Sequence, residues 1–153
     1  MPVKVLMVCL GNICRSPLAE GIMASLVHPE EVFVDSAGTA GYHVGNPPDP
    51  RSIAVARENQ IDISHQRCRE FQAADFEEFD YIFAMDLENL ANIHALAPTQ
   101  AHRKKARLLL EAGGMGTREV PDPYYGGASG FTHVYSLIEQ ACSRILSEIL
   151  RTP

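Results

Sequence analysis

The most constraining pattern in the chain is an apolar run, Val5-Leu6-Met7-Val8, that passes directly into Cys9-Leu10-Gly11-Asn12-Ile13-Cys14-Arg15 and then into Ser16-Pro17 and a stretch of helical spacing. A strand that delivers a short Gly-containing loop into a helix N-terminus aims several backbone N–H groups at one point. The helix dipole adds roughly half a positive charge there. A phosphate-sized dianion fits that field. The same field favours Cys9 as a thiolate, the nucleophilic form, and the planar fork of Arg15 can grip two phosphate oxygens. Leu10 to Cys14 supply the amides of the cradle, so one loop both binds and attacks.

The bare Cys-x5-Arg spacing is weak on its own. Four cysteines and ten arginines in 153 residues give a chance expectation of about a quarter of one match. The context carries the specificity. Cys9 is the only cysteine with Arg six positions on; Gly11 permits close backbone approach, Ser16 can hydrogen-bond the thiolate or cap the helix, and Pro17 suits a first helical turn. The plainer alternative is a buried cysteine at a strand end beside a surface arginine.

Strand and helix patterns alternate along the chain. Val3–Cys9 reads as a strand, Pro17–Val27 as a helix with Leu18, Ile22, Met23 and Leu26 on one face, and Glu31–Ser36 as a second strand. Asp49-Pro50 reads as the N-cap and first residue of a helix reaching about Asn59. Tyr81–Met85 is a third strand; Asp86 caps a helix with Leu87, Leu90, Ile93 and Leu96 inward; Arg107–Leu110 is a fourth strand. A last helix carries Phe131 to Ile149. This order predicts an α/β fold of three layers, with a mostly parallel four-stranded sheet, helices on both faces, and the phosphate loop between first strand and first helix. Ligands in such folds bind beyond the carboxyl ends of the strands, where Cys9, Ser36 and Asp86 all fall.

At 153 residues the chain suits one domain, residues 1–153, able to bury roughly 70% of its unfolded surface. A net charge of −6 opposes a nucleic-acid-binding surface, so attraction for an anionic ester must be local. No stretch approaches the roughly 18 apolar residues of a membrane span. Cys9, Cys14, Cys68 and Cys142 lack the pairing of a zinc site. The expectations are a cytoplasmic monomer with no metal, no cofactor, no membrane and no nucleic-acid partner. Neither Gly-x-Gly-x-x-Gly nor Gly-Lys-Ser/Thr follows the first strand, so nucleotide readings fail.

Residues 8–17, together with Asp35-Ser36-Ala37-Gly38-Thr39, Gly45-Asn46-Pro47-Pro48-Asp49-Pro50 and Asp122-Pro123-Tyr124-Tyr125, resemble the low-molecular-weight protein tyrosine phosphatase family. The resemblance runs in order over essentially the whole chain. It implies a metal-independent hydrolase that cleaves phosphotyrosine, in proteins or as small aryl phosphates, and releases inorganic phosphate. Cys9 is then the nucleophile, Arg15 the phosphate clamp and Asp122 the general acid and later base. It also implies Ser16, Ser36 and His65 as hydrogen-bond partners of Asn12, whose side chain suits the left-handed backbone of a tight nest. Tyr42, Tyr124 and Tyr125 are expected to wall the pocket mouth, where depth excludes shorter phosphoserine. Cys14 is either a small buried residue or a redox partner; a thiol within reach can trap an oxidised Cys9 as a disulfide, and the resemblance points to that role.

Three other readings stand beside this one. An arsenate reductase needs a closely spaced cysteine pair on a mobile segment, which Cys68 and Cys142 do not form. A phosphotyrosine reader without catalysis would have no need of Cys9, Arg15 and Asp122 together. Phosphoarginine-preferring relatives carry Thr where this chain has Ile13.

Overall fold

The computed structural model describes residues 2–124 and 128–149. Four strands, β1 (Val3–Cys9), β2 (Val32–Gly38), β3 (Tyr81–Ala84) and β4 (Ala106–Leu108), lie in the order β2-β1-β3-β4, and every pairing is parallel. β1 is central, which explains its continuous apolar sequence. Val5 and Met7 enter one core, and Leu6 and Val8 enter the other.

The first core is covered by α1 (Arg15–Ser25), α2 (Pro50–Glu58) and α7 (Ala128–Ile149). Leu18, Ile22 and Met23 of α1 are sealed inside it, each contributing about 1.5–3 kcal/mol of apolar burial. The opposite face is covered by α3 (Asp75–Glu78) and α4 (Leu87–Ala95), through Phe76 and Ile93. This is the three-layer arrangement expected, with two short helices, α5 (Gln100–Lys105) and α6 (Leu109–Ala112), flanking β4.

Several boundaries differ from expectation. α1 begins at Arg15, two residues before Pro17, so Arg15 itself belongs to the first turn. Leu87 and Leu96 are exposed, because the inward line of α4 runs through Asn89, Leu90 and Ile93. The apolar run at 107–110 splits: Arg107 and Leu108 close β4, while Leu109 and Leu110 turn into α6 and enter the other core. A four-residue apolar run carries too little periodicity to distinguish the two. The N-cap expectations hold. Asp49 accepts from Arg51 N at 2.8 Å and Asp86 from Asn89 N at 2.7 Å.

Among the described residues no helix is long and apolar enough to cross a membrane.

Candidate active site

The carbonyls of Cys9, Leu10, Asn12 and Ile13 are all taken up by the protein around the loop. Cys9 O accepts from Thr39 N, Leu10 O from Ala40 N, and Ile13 O from Asp49 N, at 2.8–2.9 Å, while the Cys68 thiol donates to Asn12 O at 2.8 Å. Across a planar trans peptide the N–H opposes the C=O. The amides that follow these carbonyls therefore turn inward and form an anion nest. The N-cap of α1 has no side-chain hydrogen bond, which leaves its first-turn amides for a ligand.

Close packing against β2 holds this shape. A Cβ on Gly38 would lie 2.8 Å from Leu10 O and 3.0 Å from Asn12 N, so only glycine lets the loop settle there. Asn12 adopts φ 57°, the left-handed conformation foreseen for it. Its Nδ2 donates to Ser16 Oγ at 2.8 Å and to Ser36 Oγ at 3.0 Å, and its Oδ1 accepts from Arg69 N at 3.0 Å. Ser36 in turn donates to Glu20 at 2.7 Å. Cys9 Sγ receives Asn12 N at 3.2 Å and lies 3.0 Å from Ser16 Oγ, so Ser16 serves the thiol and not the helix cap. Asn12 and Ser16 are themselves buried behind the loop, and their side chains support the cradle instead of lining the pocket.

His65 departs from expectation. It is exposed and shares no hydrogen bond with Asn12, Ser16 or Ser36. The chain turns at Asp62–Ser64, where Asp62 accepts from Ser64, and the next inward residue after Ile63 is Gln66, whose Nε2 donates to Pro17 O at 3.2 Å. Glu20 and Arg69 occupy the support role assigned to His65, and neither stands in a recognisable motif.

Arg15 is buried and held from behind. Its Nη1 donates to Asp86 Oδ2 at 2.8 Å and to Val120 O at 2.9 Å, while Nη2 lies 3.7 Å from Asp122 Oδ2. Burial works against the guanidinium charge, but Cys9 and Asp86 outweigh it and hold its pKa above the ordinary arginine value. Asp122 Oδ1 accepts from Tyr124 N at 3.0 Å, which fixes the carboxylate in its turn.

Cys9, Leu10, Gly11, Ile13, Cys14, Arg15, Tyr42, Asp122 and Tyr124 line one cavity of about 210 Å³. His43 lines it too and was missed, since an isolated histidine in a Gly-rich loop carries no spacing signal. Tyr42 stands at the rim, 75% exposed. Tyr125 lies outside the described residues. Burial pushes the Cys14 thiol up to about 12, with Asp49 and Cys9 adding to the effect, and burial pushes Cys68 up to about 11. Among the described residues no three His, Cys, Asp or Glu side chains are grouped to hold a metal ion.

Residues 4–152 match the family model described as low molecular weight phosphotyrosine protein phosphatase. The chain is 44% identical over 153 residues to the low molecular weight phosphotyrosine protein phosphatase of Schizosaccharomyces pombe, covering 96% of this chain and 97% of that one. A crystal structure of a protein tyrosine phosphatase from Entamoeba histolytica, with Hepes in its active site, superposes with a TM-score of 0.91 at 37% identity over 97% of both chains. A Drosophila arginine phosphatase superposes with a TM-score of 0.86 at 36% identity, over 95% of this chain and 97% of that one.

Proposed function

This chain belongs to the low molecular weight phosphotyrosine protein phosphatase family, a family of hydrolases, and from that premise we propose that it hydrolyses phosphotyrosine and small aryl phosphates through a phosphocysteine. The observation that carries the proposal is the convergence of Cys9, Arg15 and Asp122 on one cavity floored by inward amides.

The Cys9 thiolate attacks phosphorus opposite the phenolic oxygen. The S–P bond forms as the P–O bond breaks, and protonated Asp122 delivers its proton to the departing oxygen. Charge on the transferring oxygens falls on the loop amides and on Arg15, which Asp86 and Val120 hold in place. Water then attacks the phosphocysteine, Asp122 accepts its proton, and inorganic phosphate leaves with the Cys9 thiolate restored. The four cysteines are free and buried, the state a reducing compartment maintains, which supports a cytoplasmic site of action.

The likeness to an arginine phosphatase supports a second reading in which phosphoarginine is the substrate. A guanidinium leaving group carries N–H donors that need acceptors, and Ile13 presents hydrocarbon to the cavity. The phosphotyrosine reading is therefore preferred. Cys9→Ser should abolish turnover of phosphotyrosine peptide while calorimetry still detects binding of inorganic phosphate. Turnover by a clean Cys9→Ser preparation excludes the covalent route, and faster hydrolysis of phosphoarginine than of phosphotyrosine by the unmutated chain favours the second substrate.

A further inference from the structure

Arg51 has no place in the mechanism above, yet it is engaged on several sides. Its Nε and Nη2 fork the Asp49 carboxylate at 3.0 and 2.9 Å. Its Cζ lies 4.7 Å from the ring centroid of Phe131, a buried residue in the first turn of α7, and 5.4 Å from that of Tyr124 on the cavity wall. Asp49 is itself fixed, since it caps α2 and its backbone N–H holds Ile13 O at 2.8 Å. One planar group thus links the back of the phosphate loop, the start of α7 and the aromatic wall.

The charge of Arg51 is matched by Asp49, and the residue does not line the cavity. Steering or gripping phosphate is therefore not its use. Its planar face, favoured over the ring quadrupole, is placed where it supports Tyr124. Tyr124 N also binds Asp122, so the supported ring and the acid share one turn.

We propose that Arg51 is a positioning residue that sets specificity: it braces Tyr124 from behind, and so fixes the affinity of the site for the aromatic part of an ester while leaving phosphate recognition to the loop. This rests on the aryl phosphatase reading. A fixed wall presents a stacking surface without first losing rotational freedom, and that difference appears only when the ligand carries a ring.

Calorimetry with a non-hydrolysable aryl phosphonate and with inorganic phosphate tests this on the full chain, using Arg51→Met, Arg51→Lys, Tyr124→Leu and the double variant Arg51→Met/Tyr124→Leu. The α2 cap survives Arg51→Met, because Asp49 accepts there from the backbone N–H of position 51. Arg51→Met should weaken aryl phosphonate binding about three- to tenfold, the scale of a partly exposed cation–ring contact, and change phosphate binding less than about twofold. Arg51→Lys should recover part of the loss, since an ammonium can sit over the ring but cannot fork Asp49. The double variant should bind no worse than Tyr124→Leu alone, because contacting residues are not additive. Equal loss for both ligands, additive losses, or no loss in Arg51→Met overturns the role of Arg51 alone. If the unmutated chain fails to hydrolyse any aryl phosphate, the aryl phosphatase reading falls and this role with it.

Discussion

Glu20 offers the sharpest link between the loop's support and a measurable quantity. It is half-buried on α1, accepts from Ser36 at 2.7 Å, and forms no ion pair among the described residues. Burial pushes its carboxyl up to about 7 from 4.5; Asp35 adds to the rise, and Ser36 and Arg69 oppose it. A carboxyl raised in the folded state holds its proton after the unfolded chain has released one. Its contribution to stability is then fully present below about pH 4.5 and is lost as pH rises through about 7. That rise corresponds to roughly 3 kcal/mol of stability. Gln keeps the acceptor for Ser36 but does not titrate. Urea unfolding of the parent and Glu20→Gln at pH 4.5, 5.5, 6.5 and 7.5 should show the parent losing up to about 3 kcal/mol relative to the variant, with unchanged m-values. His65 lines the same cleft, so the pair is repeated in a His65→Asn background. Parallel stability curves for parent and variant across this range refute the assignment.

Asp122→Asn should slow esters of weakly acidic phenols about 100- to 10,000-fold and esters of acidic phenols less, because only the former need a proton on the leaving oxygen. Single-turnover rates across a leaving-group series check this, and a uniform loss removes Asp122 as the acid. Peroxide should oxidise Cys9 to a sulfenic acid, which the Cys14 thiol converts to a disulfide with loss of water; dithiothreitol should then restore activity in the parent and far less in Cys14→Ser. Peptide mapping decides between Cys14 and Cys68 as partner. Trapping through Cys14 should accelerate as pH rises, since its buried thiol, held up at about 12, must lose a proton to attack.

What was legible in the chain was mainly what is local. β1, the loop at Leu10–Cys14 and α1 are contiguous, so their order can be read from residues 3–27, and the Asn12 conformation follows from its place in a tight turn. The two N-caps were legible for the same reason, each spanning two or three residues. His65 shows the limit. The turn at Asp62–Ser64 decides which of two adjacent residues points inward, and a one-residue difference sends Gln66 into the protein and His65 to solvent.

Asp86 shows why the rest was hidden. Its Oδ1 caps α4 through Asn89 N, a bond visible in a four-residue pattern, while its Oδ2 holds Arg15 from 71 positions away. Nothing near Asp86 in sequence distinguishes a capping aspartate from one that also anchors Arg15. The second role arises because β1 and β3 are parallel neighbours whose carboxyl ends share a rim, so a residue two places beyond one strand faces the helix that follows the other. The same geometry brings Val120 O to Arg15, with Val120 N bound to Met85 O at 2.8 Å at the end of β3. The segment leading to Asp122 is thereby tied to the sheet two residues before that carboxylate. Placement of Asp122 against Arg15 is thus a product of sheet order, which is why the contiguous strand-loop-helix context could mark Cys9 and Arg15 whereas Asp122 required a resemblance across the whole chain.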